Sequence, residues 1–247
     1  FAPDVTITQV LDQMRAGRTV VRKLTIPEGL TTAQVLERLH RAEGLKGDIE
    51  ATPAEGALLP ATYPYSYGDS RQAMLEKMTS AMQRTVKRLW AKRSEGLPLA
   101  TPEEAVTLAS IVEKETALGS ERPRIAGVFI NRLRTGMRLQ ADPTVIYAMS
   151  GGAGPLGRPL TRADLRADHP YNTYLNTGLP PGPIANPGRA ALAAVLQPMA
   201  TNELFFVADG SGGHAFARTY AEHKVNVARW REISAADSEQ REGESDD

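Results

Sequence analysis

TPEEAVTLASIVEKETALG, residues 101–119, is the stretch on which the reading of this chain turns. Its Thr-Pro-Glu-Glu start has the form of a capping box with proline at the first helical position. The Thr101 hydroxyl can accept an orphan backbone amide, and Glu104 can reach back. The pattern predicts a helix to Leu118, stopped by Gly119. Projected at about 100° per residue, Ala105, Leu108, Ile111 and Val112 share one face, and Glu115 falls in the middle of it. Glu113 projects to the opposite, polar side, and Lys114 to a flank. A glutamate on an apolar face has three uses. It can reach water at a helix end, pair with an arginine such as Arg124 or Arg132, or line a cleft. In a cleft, desolvation raises its pKa and makes it a proton donor near neutral pH.

Working outward, Ser120 is expected to cap a second helix carrying Ile125, Val128, Phe129 and Leu133, which Gly136 ends. In LQADPT, Asp142 precedes Pro143 and has three readings: the cap of a following helix, a substrate contact, or a second carboxylate for hydrolysis. GGAGPLGR, residues 151–158, lacks the Lys-Ser/Thr of a phosphate loop and reads as a flexible loop. YNTY, residues 171–174, is a candidate substrate wall. Asn172 and Thr173 are suited to hydrogen-bonding a polar ligand, and Tyr171 or Tyr174 to stacking on a ring. Gln140 and Tyr147 are candidates of the same kind, and each of these residues can equally be shaping its loop. Further on come a short helix over Ala190–Leu196, a strand over Glu203–Ala208, a Gly-rich hairpin, and a last helix from about Tyr220 to Ile233. His214 and His223 lack the third ligand and short spacing that a metal site needs.

Upstream, Val5–Ala16 has helical spacing and ends at Gly17. TVVRKLTI, residues 19–26, is a β-branched strand, and Thr31 or Thr32 caps a helix with Val35, Leu36 and Leu39 on one face. Residues 47–70 read as irregular. Arg71–Arg93 is an amphipathic helix whose Met74, Leu75, Met78, Met82, Val86 and Leu89 belong to a core. Its basic face is either solvated or able to hold an anionic polymer or lipid surface.

The 247 residues carry 29 Lys plus Arg and 29 Asp plus Glu, so the basic excess of a nucleic-acid binder is missing. Residues 235–247 hold six acids and one Arg with few apolar groups, which predicts a disordered tail. With no cysteine, disulfides and thiolate chemistry are excluded. No apolar run approaches the roughly 18 residues of a membrane span. The sequence starts at Phe1 and not at Met, which reads as a fragment and leaves room for an export or anchor segment ahead of it.

Four runs carry a resemblance. LASIVEKETALGSERPRIAGVFINRLRTGMRLQADPTVIYAM, residues 108–149, is similar to the endolytic murein transglycosylase family, MltG or YceG-like. So are HPYNTYLNTGLPPGPIANPG at 169–188, FFVADGSGGHAFARTYAEH at 205–223 and EGALLPATYPY at 55–65. The resemblance implies an α+β protein: a small, truncated LysM-like α/β subdomain over residues 1–45, then a larger α+β lytic transglycosylase domain over 46–234. It implies that Glu115, the second glutamate of Glu-Lys-Glu, is the catalytic acid, the residue the projection picks by itself. Thr116 after it is similar to the Glu-Ser/Thr pair of lysozyme-like transglycosylases. The implied reaction cleaves the β-1,4 bond between N-acetylmuramic acid and N-acetylglucosamine, forms 1,6-anhydro ends and stops nascent strand growth. No cofactor or metal is implied. The implied partners are glycan strands, peptidoglycan synthases, and the bacterial inner membrane through an N-terminal anchor, with the catalytic part facing the wall. A hydrolytic muramidase and a non-catalytic wall-binding module are the rival readings.

Overall fold

The computed structural model describes residues 4–15 and 20–244. The expected helix stop at Gly17 and strand start at Thr19 lie outside the described residues. After α1 (Ile7–Arg15) comes β1 (Val21–Thr25), which pairs antiparallel with β2 (Thr62–Ser66), Val21 opposite Ser66 and Thr25 opposite Thr62. Between them lies α2 (Thr32–Arg41). Its start is a reciprocal cap: the Gln34 amide donates to the Thr31 hydroxyl, and the Thr31 amide donates to the Gln34 side chain at 3.0 Å. Val35 and Leu39 of α2 join Ile26, Leu58, Tyr63 and Tyr65 in one buried cluster.

One expectation is corrected here. Residues 47–70 are not wholly irregular, because β2 lies within them with Tyr63 and Tyr65 turned inward and Pro64 outward. A proline inside a short run argues against a strand unless that strand is an edge, and this sheet has only two strands, both edges. Residue 45, the expected end of the small subdomain, lies between β1 and β2. The sheet joins residues on both sides of it, and the cluster takes in Met74, Leu75 and Met78 of α3 (Arg71–Trp90).

One turn further along, α3 places Met82 in a second cluster built around α4 (Pro102–Glu115). This helix is enclosed by α3, α5 (Arg122–Arg134), α6 (Asp142–Ser150) and α7 (Arg189–Leu196). Every residue from Ala105 to Glu113 is buried. The hydroxyls in that run are satisfied locally: Thr107 donates to the Glu103 carbonyl, and Ser110 donates to Thr107 and accepts the Ile184 amide. Glu113 is therefore not on a wet face, contrary to the helical projection. A helix without a charge between Glu104 and Glu113 is buried all round, and the one-face assumption fails.

Nor does the helix reach Leu118. Thr116 is extended, and its hydroxyl accepts the Leu118 amide at 3.0 Å, a local turn that competes with another helical residue. Ser120 does not cap α5. Glu121 is its N-cap, without a side-chain cap, and the Glu121 carboxylate instead holds the His214 amide and ring. The hairpin β3 (Phe205–Ala208) and β4 (His214–Ala217) lies against α5, fastened by Asn131 to the Thr201 and Glu203 carbonyls and by the Arg124–Glu203 pair. The last helix, α8 (Tyr220–Glu244), continues past Ile233. Mixed helices with two small sheets make the fold α+β, as expected. No described helix is long and apolar enough to cross a membrane.

Candidate active site

Because α4 stops at Glu115, this side chain projects from a helix end rather than from a helix middle. It reaches a cleft of about 490 Å³ whose walls include Arg132, Gln140, Asp142, Tyr174, Phe205 and Trp230. Four of the residues singled out in the sequence, Glu115, Gln140, Asp142 and Tyr174, thus meet in one place.

The Glu115 carboxyl is pushed up from 4.5 to about 8, first by burial, then by the charge of Asp142, with Arg132 opposing. The carbonyl end of α4 acts in the same direction, since it disfavours an anion. At neutral pH Glu115 therefore carries its proton. The arginines that could neutralise it as an ion pair are committed elsewhere. Arg124 donates to Glu203 at 2.8 Å. Arg132, itself buried, donates to the Leu204 carbonyl at 2.7 Å and the Leu139 carbonyl at 2.5 Å. Arg132 so ties Leu204, just ahead of β3, to Leu139 beside the cleft and leaves Glu115 open to it.

Asp142 is the first residue of α6 and exposed, not the helix cap, which is Ala141. The Tyr174 hydroxyl donates to its Oδ1 at 2.5 Å. Burial, and then that bond, raises the Tyr174 pKa, so the phenol keeps its proton and stays a donor. Gln140 has φ of +48°, in the left-handed region where a non-glycine is uncommon. Its amide donates to the Thr173 carbonyl, which pins the backbone there and turns the side chain outward at the cleft rim.

Three proposed contacts fall elsewhere. Asn172 and Thr173 are buried and fully engaged. Asn172 donates to the Leu165 and Ala167 carbonyls and accepts the Tyr174 amide. Thr173 accepts the Ala141 amide and bonds the Thr144 hydroxyl. They are fasteners that set Tyr174 and Asp142, not a wall. Tyr147 lines a separate, smaller cleft with Thr31, Gln34 and Lys114, and is hydrogen-bonded to Glu55. Thr116 is likewise turned into its own backbone turn.

Glu113, two residues from Glu115, has another task. It accepts Arg122 at 2.7 Å and the Gly188 amide at 2.8 Å, and Arg122 also reaches Glu28 at 3.4 Å. It joins α4 to α5, to the 184–188 segment and to the turn after β1. Sequence reasoning missed the far wall of the cleft. Phe205 came from an expected strand, but Tyr220, His223, Val227 and Trp230 of α8 fall at i, i+3, i+7 and i+10, a stripe that could have been read.

The fold and site together are those of an α+β chain with a proton-holding glutamate at a helix end, open to a cleft that it shares with Asp142. The chain belongs to the YceG-like family, whose sequence model matches residues 1–229. It is 40% identical over 188 residues to an endolytic murein transglycosylase of Bacillus subtilis, covering 74% of this chain and 49% of that protein. With the endolytic murein transglycosylase of Streptococcus pneumoniae it shares 36% identity, covering 85% of this chain and 44% of that protein. The chain thus spans about half the length of these relatives. A yceG-like protein of Listeria monocytogenes has the same fold, with a TM-score of 0.67 and 32% identity over 90% of this chain and 81% of that one.

Proposed function

We propose that this chain is a lytic transglycosylase that cuts glycan strands of peptidoglycan internally, at the β-1,4 bond between N-acetylmuramic acid and N-acetylglucosamine. One observation carries the reading: Glu115 opens into a cleft with its carboxyl pushed up to about 8, so it is an acid at neutral pH. In this scheme Glu115 gives its proton to the glycosidic oxygen as the C1–O bond breaks. As carboxylate it then takes the proton of the C6 hydroxyl of the same muramyl ring. That oxygen closes on C1, and a 1,6-anhydro end forms without water. The nucleophile is part of the substrate, so most of its entropy cost is already met. One carboxyl then suffices, and it leaves the cycle in the form in which it entered. The names of the bacterial relatives support the substrate class. Anchoring ahead of Phe1, a wall-facing location, work beside peptidoglycan synthases and a LysM-like, glycan-holding role for residues 1–45 belong to the same proposal.

Digestion of purified sacculi with mass spectrometry of the products tests it. Anhydromuramyl ends are expected, and Glu115→Gln is expected to lower turnover by about 10²–10⁴-fold with an unchanged fold. Full activity in that variant sinks the assignment. A second reading has an observation of its own, since Asp142 shares the cleft with Glu115. A hydrolytic muramidase would use it as the second carboxylate. Products heavier by one water, with reducing ends, decide for that reading.

A further inference from the structure

The stripe on α8 is not fully used by packing. Its first turn rests on β3: the Phe205 ring lies 6.0 Å from Tyr220 and 5.2 Å from His223, the latter pair nearly parallel at 22°. Trp230, two to three turns further on, is 37% exposed and borders the same cleft as Glu115. An indole so exposed is an anomaly if its purpose is core packing, because a large apolar ring gains little there. His223 adds a second one: its Nδ1 is buried without a hydrogen-bond partner. Burial, and then Arg132, lowers its pKa, so the ring is a neutral imidazole. The wall of α8 therefore offers the rings of Tyr220, His223 and Trp230, with the cationic Arg231 beside Trp230, while other parts of the lining supply the carboxyl groups of Glu115 and Asp142 and the amide of Gln140.

That division suits a pyranose. One face of the ring carries axial C–H groups and is apolar, while its edge carries hydroxyl and N-acetyl groups that need polar partners. Apolar walls with a few convergent polar groups also define binding clefts in general. Resting on the glycan-cutting reading, we infer that α8 is the sugar-holding wall of the cleft, and that the Trp230 indole is the surface on which a pyranose of the strand stacks beside the bond that Glu115 cleaves. Trp230 is then a binding residue for the strand, not an acid or base.

The chain has two tryptophans, Trp90 and Trp230. Trp90 lies on α3, with the Arg93 guanidinium 4.2 Å over its ring. A Trp90→Phe, Glu115→Gln chain therefore reports Trp230 alone and does not turn substrate over. Titrated with peptide-free muramyl–glucosaminyl oligosaccharides, its emission is expected to shift to the blue and saturate. In the active chain, Trp230→Ala is expected to lower kcat/KM by about tenfold, mostly through KM, and Trp230→Phe to recover most of that loss. Circular dichroism on each variant checks the fold, and the Phe variant carries the test should the Ala variant unfold. An unmoved emission during saturable binding, or an unchanged KM in Trp230→Ala, overturns the inference and leaves the cleavage reading intact. A parent chain that neither binds nor cuts the strands overturns both.

Discussion

Glu115 gains its acidity range at a cost to the fold. Its carboxyl titrates at 4.5 when unfolded and at about 8 when folded. Between these values the native state binds the extra proton, so stability falls as pH rises through that window. Glu115→Gln removes the penalty. Its melting temperature should exceed that of the parent by more at pH 8.5 than at pH 5, and equal differences at both would show that the carboxyl is not held dry. The same titration sets a basic limb in the rate near pH 8, where the acid form is lost. Asp142 is the second cause of the shift, so Asp142→Asn should move this limb toward lower pH while anhydro products persist. Loss of all cleavage in that variant would favour hydrolysis through Asp142. Of these residues, Glu115 was legible because the apolar positions Ala105, Leu108, Ile111 and Val112 share its face. Glu113 was not, because a projection assumes one wet face, and α4 has none between Ala105 and Glu113. Asn172 and Thr173 misled for a related reason. Polar loop residues are usually free for ligands, but here the backbone groups of the half-buried Leu165 and Ala167 and the buried Ala141 needed partners first.

Elements with local signals were readable, and those completed by distant partners were not. The Thr31 and Thr101 caps and the Pro102 start stand where the sequence puts them. Only a strand far along the chain gives β2 a reason to form, and no local pattern announces it around Pro64. The 13-residue α5 is a case where one small residue sets an element's position. A Cβ on Gly127 would lie 2.5 Å from the Met199 carbonyl oxygen, a backbone atom that cannot swing aside. The Pro123 carbonyl accepts the Met199 amide one turn earlier, so helix and segment are already in contact. Moving α5 outward would strain the hairpin that Asn131, Arg132 and Arg124 fasten to it, and with it the Phe205 side of the cleft. Gly127→Ala should therefore destabilise the chain by about 1–3 kcal/mol despite its better helix propensity. Urea denaturation measures this, and a stabilised variant would mean that the approach is looser than described.

At the scale of the whole molecule, two hydrophobic clusters must hold a fixed relation for the cleft to keep its shape. α3 enters both, through Met74, Leu75 and Met78 on one side and Met82 on the other. The second tie is Asn186, fully buried in the 184–188 segment that also meets Ser110 and Glu113 of α4. Its backbone exchanges hydrogen bonds with the turn after β1: the Gly29 amide donates to Asn186, and the Asn186 amide donates to Leu30. Its side chain accepts the Leu58 amide at 2.8 Å and donates to the Leu30 carbonyl at 3.1 Å. Removing that amide leaves the buried Leu58 N–H with no acceptor, a loss of about 1–3 kcal/mol. The backbone bonds survive it, so the clusters stay attached but their seam weakens. Asn186→Ala should therefore speed hydrogen exchange at the Leu58 amide far more than at the mid-α4 amides of Leu108 and Ile111, which lie in the other cluster. Equal acceleration at all three would mean that the seam and α4 open only as one unit, and that Asn186 contributes to global stability rather than to the joint between the two parts.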